Sequence, residues 1–258
     1  QLGRENDSVN LARFGALDIT RVNVAPLNNA FPLTDILALA YVFDSVAHMR
    51  RCLDGEIGRE ILRGFEARGL VGLAFYDSGV RCFYNRLRPI VVPADLRGLK
   101  IRVPPSDIFV GLVRGLGANP TPLSFGEVFS SLQTHLIDGA ENNWPTFYTS
   151  RQFEVARYWS QSHHSFAPEV LLMSKQRLDA MSSADRGLMR DAAGRSLPFM
   201  REMWDRREAE SRAAVEKAGV QVNEVDREAF RKAAAPLLEE YLADADLARL
   251  YRGIRAAA

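Results

Sequence analysis

The stretch from Leu99 to Trp144 constrains this chain most. It reads LKIRVPPSDIFVGLVRGLGANPTPLSFGEVFSSLQTHLIDGAENNW. A short strand, Leu99 to Val103, carries Arg102 between Ile101 and Val103 and is stopped by Pro104 and Pro105. Two helical patterns follow. Ser106 is placed to cap a helix from Asp107 to Leu116 that Gly117 ends, and Ser124 with Glu127 forms a capping box for a helix through Thr134. A second short strand from Ile137 then runs into Glu141, Asn142, Asn143 and Trp144. A guanidinium at the end of a half-buried strand is costly unless a carboxylate, carbonyl or phosphate meets it. The rest of the chain reads as scaffold that sets this arginine in the wall of a cleft.

The flanking segments predict α/β architecture. An amphipathic helix ends near Ala16, with Asp7 or Ser8 as its cap, and Leu17 to Val24 alternates as a strand does. Asp44 is placed to cap a helix to Leu53, and a second helix spans Glu56 to Ala67. Leu70 to Tyr76 is nearly continuous in apolar residues, the pattern of a buried parallel strand. Val80 to Asn85, Ala156 to Ser160 and Val170 to Ser174 read as further strands, with Gln161 to Ser165 as a polar patch between the last two. A helix of more than 30 residues runs from Ser183 to Gly219, with a kink expected at Pro198. An edge strand, Val220 to Val225, and helices capped by Asp226 and Asp246 close the chain.

With 258 residues the chain can bury one large or two modest cores. Its 33 basic and 32 acidic residues nearly balance, which gives no electrostatic case for nucleic acid or an anionic membrane. A small anion needs only a local positive site. Cys52 and Cys82 read as unpaired thiols, and His163 with His164 lacks the companions of a metal site. No nucleotide-binding loop or nucleophile elbow occurs, so neither cofactor nor metal is implied.

Arg81, Arg102 and Asn142 all fall at strand ends beside turn residues. Two guanidiniums and a carboxamide suit carboxylate capture, because each guanidinium offers two parallel N–H donors. The alternative is that each arginine bridges to an internal Asp or Glu.

The segments GLAFYDSGVR, ADLRGLKIRV, LGANPTPLSFGEVFSSLQTHLIDGAENN and FEVARYWS, in this order and spacing, resemble the DctP-type solute-binding proteins of tripartite ATP-independent periplasmic (TRAP) transporters. The resemblance runs from Gln1 to the C-terminus. It implies a two-lobe, type II periplasmic-binding-protein-like α/β fold with a long helix across both lobes. Lobe I would hold residues 1–79 and 168–206, and lobe II residues 80–167 and 207–258. Against the family pattern, lobe I lacks its usual opening strand, helix and strand, about forty residues by the usual lengths of such units.

By position, the resemblance makes Arg102 the principal carboxylate-binding residue, Arg81 a second arginine and Asn142 the amide that completes the anion site. Asn23 contacts the ligand from the other lobe. Asp77 accepts ligand hydroxyls, Tyr76 lies beside it, and Trp144 and Phe166 are candidates for the cleft wall, with core packing as the alternative for each. The implied function is capture of an organic acid, such as a hexuronate, for TRAP membrane subunits by a monomer in the periplasm. An enzyme of the lyase type acting on a small carboxylate, or a ligand-sensing subunit for a receptor, are the competing readings.

Overall fold

The computed structural model describes residues 3–258, so Gln1 and Leu2 of the first expected helix lie outside the described residues. The strands are β1 (Ile19–Asn23), β2 (Leu70–Tyr76), β3 (Arg81–Asn85), β4 (Lys100–Val103), β5 (Asn119–Pro122), β6 (Gly139–Asn142), β7 (Tyr158–Ser165), β8 (Glu169–Ser174) and β9 (Gln221–Glu224). The helices are α1 (Glu5–Arg13), α2 (Asp35–Ala38), α3 (Val46–Asp54), α4 (Glu56–Arg63), α5 (Asp107–Gly115), α6 (Val128–Gln133), α7 (Trp144–Thr149), α8 (Lys175–Asp179), α9 (Ser183–Lys217), α10 (Arg227–Tyr241) and α11 (Ala245–Ala256). No helix among the described residues is long and apolar enough to cross a membrane.

Two sheets divide the strands. One has the order β1-β8-β2, the other β5-β4-β6-β3-β7-β9. The chain changes sheet between Tyr76 and Arg81 and again between Ser165 and Glu169. The 35-residue helix α9 makes the third link, from β8 in the first sheet to β9 at the edge of the second. It runs through Pro198 as one element.

Several local expectations change. β2 is antiparallel to β8, Leu70 facing Ser174 and Tyr76 facing Glu169, rather than a parallel strand. Its apolar run records burial on both faces: Leu70 and Phe75 belong to the large core, and Val71 packs with Met173 and Leu178. Burial on both faces erases alternation whatever the strand direction. The stretch Gln161 to Ser165 is part of β7, not a break after it. Its polar side chains are matched inside the fold: Gln161 donates to Glu224 at 2.6 Å, and Ser162 Oγ meets His164 Nδ1 at 2.9 Å.

Helix α3 is capped by Ser45, whose side chain accepts from the His48 amide, while Asp44 pairs with Arg255 at 2.8 Å. Asp244, not Asp246, caps α11, accepting from the amides of Asp246 and Leu247. Helix α1 starts after Arg4, with the Asp7 carboxylate accepting from the Arg4 amide at 2.8 Å. Ser106 precedes α5 as expected, but its hydroxyl donates to Asn28 Oδ1 at 3.0 Å instead of capping.

The main core joins the first sheet to α5, α10 and α11. A second core stacks Trp144 on Trp159 with ring centroids 3.8 Å apart and includes Tyr84 and Phe147. Cys52 and Cys82 are free buried thiols, and burial pushes the Cys82 thiol up to about 12.

Candidate functional site

The second sheet brings three strand ends together. β4 runs parallel to β6, with Arg102 facing Ala140. β3 runs antiparallel to β6, with Cys82 facing Asn142, so the start of β3 and the end of β6 meet on one rim. Arg102 near the end of β4, Arg81 at the start of β3 and Asn142 at the end of β6 therefore converge outside the carboxyl ends of β4 and β6, where open α/β sheets place ligands. A cleft of about 150 Å³ lies there. Its walls include Arg81, Arg102, Asn142, Asn143 and Thr146 from the second sheet and the start of α7, and Glu5, Asn23, Pro26, Ser78 and Glu169 from the side of the first. Pro104 and Phe125 complete the rim. A wider cavity of about 1030 Å³ shares Glu5, Pro26 and Phe125 with it, and opens between the start of α1 and the Ser124–Glu127 turn.

The two arginines differ in how they are held. Arg81 is buried and Glu141 grips it from beneath: Nε donates to Oε2 at 2.5 Å and Nη2 to Oε1 at 2.7 Å. Glu141 is held in turn by His164 Nε2 at 3.3 Å, and the His164 ring stacks on Phe83. The Phe83 amide donates to Ser162 Oγ, which leaves that hydroxyl to donate to His164 Nδ1 and the opposite ring nitrogen to donate to Glu141. Burial works against the Arg81 cation, but the charge and hydrogen bonds of Glu141 outweigh it and leave the guanidinium more basic than usual. Burial likewise opposes the Glu141 anion, yet Arg81 and His164 bring its pKa below the ordinary carboxylate value.

Arg102 has no such partner. It is buried to 4% exposure and makes no ion pair among the described residues. Its Nε and Nη2 both donate to the Leu123 carbonyl, at 2.9 and 2.7 Å. Burial lowers its pKa, and the charges of Glu141 and Tyr84 only partly offset this. A buried cation answered by one neutral carbonyl is electrostatically short of an anion.

Asn142 Oδ1 accepts from the Asn143 amide at 2.9 Å and lies 3.5 Å from Arg81 Nη1. Asn23 lines the cleft, but its amide donates to Ala167 O at 2.7 Å and its Oδ1 accepts from the Ala25 amide. It ties the end of β1 to the crossing segment.

The other four candidates lie elsewhere. Asp77 is buried and bound by Arg50 from α3, with Arg201 of α9 3.9 Å away, so its oxygens serve a link to the helices. Tyr76 bonds through its hydroxyl to Ser196 of α9 at 2.6 Å. Trp144 belongs to the stacked aromatic core, and Phe166 packs edge-on against Phe43. For Trp144 and Phe166 the core-packing alternative is the one observed. His164, half of the histidine pair without metal-site companions, is fully buried.

Glu5, Ser78, Asn143, Thr146 and Glu169 line the cleft without having been singled out from the sequence. Asn143 carried a signal: it precedes Trp144-Pro145 and caps α7 through the Thr146 amide. Burial raises the carboxyl pKa of both Glu5 and Glu169.

Two sheets, three crossings and a polar cleft between them define a two-lobe binding protein. Residues 1–244 match the family described as bacterial extracellular solute-binding protein, family 7 (DctP), and the chain belongs to that family. A solute-binding protein of Chromohalobacter salexigens is 36% identical over 242 residues, covering 93% of this chain and 72% of that protein. The TRAP periplasmic solute-binding protein of Bradyrhizobium sp. BTAi1, solved with α/β-D-galacturonate, is 49% identical with a TM-score of 0.97, covering 99% of this chain and 85% of that one. Its counterpart from Roseobacter denitrificans, solved with β-D-glucuronate, is 41% identical with a TM-score of 0.96 at 99% and 85% coverage.

Proposed function

We propose that this chain captures a hexuronate in the periplasm and delivers it to TRAP membrane subunits. The observation that carries the reading is Arg102, a buried guanidinium in the cleft wall with a carbonyl but no carboxylate as partner. The ligand carboxylate supplies the missing anion. It meets Arg102 first, with Arg81 and the Asn142 amide adding donors from the adjacent strand ends. Hexuronates are the ligands of the two solved relatives, and the polar walls suit a hydroxylated acid.

Lobe I consists of residues 1–79 and 168–206 and lobe II of residues 80–167 and 207–258. They close on the sugar acid, and the closed form is the one offered to the membrane subunits. The protein acts as a monomer and returns the ligand unchanged. The lyase reading would need a tuned base in the cleft. Asp77, the residue it would use, is bound to Arg50, and neither histidine of the His163–His164 pair lines the cleft.

Calorimetric titration with D-galacturonate and D-glucuronate, followed by analysis of the recovered ligand, tests this reading. Saturable binding with no product supports it. A new product, or no binding to either acid, contradicts it. At a hundredfold excess over Kd, a bound hexuronate should add about 2.7 kcal/mol to stability, seen as a raised melting temperature.

A further inference from the structure

This inference rests on the hexuronate reading. A hexuronate brings one carboxylate and a ring of hydroxyls, so two arginines satisfy only one side of it. Hydroxyl protons need acceptors with lone pairs to spare. Several oxygens on the cleft wall are already engaged: Asn23 Oδ1 by the Ala25 amide, Asn142 Oδ1 by the Asn143 amide, and Asn143 Oδ1 by the Thr146 amide.

Glu169 is different. It is the first residue of β8, the central strand of the three-stranded sheet, and stands opposite Asn23 on β1 and Tyr76 on β2. The sheet delivers it to the cleft on its central strand, which is paired on both sides. Its Oε2 is buried against Arg21 and accepts no hydrogen bond among the described residues, which leaves Oε1 as the oxygen for the cleft that Glu169 lines. Arg21 Nε stands 2.7 Å from that oxygen, but off the N–H axis, so the two form an ion pair without an aligned hydrogen bond. Arg21 itself is half-exposed, with the Glu169 side chain behind it at 18% exposure.

We propose that Glu169 is the acceptor for a ring hydroxyl of the bound sugar acid, with Arg21 positioning it from outside the cleft. The two residues divide the work. A carboxylate is the strongest hydroxyl acceptor a side chain offers, since the bond to it is charge-assisted. Left alone beside Glu5, a buried carboxyl would take up a proton and lose that capacity. Arg21 opposes this: its charge is the largest influence acting against burial at Glu169, while Glu5 adds to the effect of burial. Because Arg21 sits on β1 next to Glu169 on β8, the pairing survives any movement of lobe II.

The test is calorimetric titration of wild type, Glu169→Gln, Glu169→Ala and Arg102→Ala with D-galacturonate and D-glucuronate, alongside melting curves of each protein without ligand. Loss of a charge-assisted hydrogen bond corresponds to about a 10- to 150-fold weaker Kd. Glu169→Ala should show that loss and Glu169→Gln a smaller one, with the unliganded melting temperature of Glu169→Gln unchanged. Unchanged affinity in Glu169→Ala overturns the proposal. So does an affinity loss in Glu169→Gln matched by a fall in its unliganded melting temperature, which assigns Glu169 to holding the sheet. If wild type binds and Arg102→Ala does not, but Glu169→Ala binds normally, this inference fails alone. If wild type binds neither acid, the hexuronate reading fails and takes the inference with it.

Discussion

The rims of β3 and β4 each present a buried arginine to the same cleft, and they are built on opposite principles. At Arg81 the charge is met from within, by Glu141 backed by His164 and Ser162. At Arg102 the only internal partner among the described residues is the carbonyl of Leu123. The first arrangement has its charge balanced without a ligand and holds the strand ends together. The second is incomplete and suited to a visiting anion. The comparison teaches that an arginine's presence at a cleft says little until its internal partner is known.

Substitution at the Arg81 side should give the largest stability change. Glu141→Ala strands a buried guanidinium, and breaking a buried pair in this way costs about 3–5 kcal/mol. Urea or thermal unfolding should show that loss, whereas Arg102→Ala, which gives up hydrogen bonds to one carbonyl, should cost about 1 kcal/mol. Equal losses in the two variants would break the comparison.

The next effect lies on the Arg102 side. Arg102→Lys keeps the charge but not the fork, and the proposed carboxylate contact should weaken by at least about tenfold. Titration with a hexuronate measures it. Wild-type affinity in the lysine variant would mean that charge alone suffices there.

The pH response probes the Arg81 side, where His163 adjoins His164 on β7. Burial, then the charge of Arg227, pushes His163 down from 6.5 to about 4. The unfolded chain therefore takes up this proton first as pH falls. Its contribution to stability is full above 6.5 and is lost between there and about 4. Melting temperature against pH should fall less steeply over that window in His163→Asn than in wild type, and parallel curves would contradict this. The smallest effect is expected at the Arg21–Glu169 pair: Arg21→Ala should cost at most about 1 kcal/mol of stability, since Arg21 is half-exposed.

How much of the molecule was legible in the sequence depends on how local each signal is. Arg102 was readable because a charge inside an apolar strand, stopped by Pro104-Pro105, advertises itself within five residues. Asp226 as a cap was readable for the same reason, and its side chain does accept from the Ala229 amide. The direction of β2 was not readable, because burial on both faces leaves the same apolar run in either orientation. The end of β7 was missed because Ser160 and Gln161 find their partners, Asn223 and Glu224, on β9, 63 positions further along. Asp77 looked available because its partner, Arg50, sits on a helix 27 residues earlier. Glu5 and Glu169 carried no local signal: they matter only because α1 and β8 begin at the same cleft.

Arg102 is the residue on which the proposed binding function turns. Titration of a folded Arg102→Ala protein with D-galacturonate and D-glucuronate, beside wild type, tests it most directly. Saturable binding by wild type with none detectable in the variant is the predicted result. A variant that binds as tightly as wild type would show that the cleft holds its acid by other means, and the contrast between the two rims would lose its functional meaning.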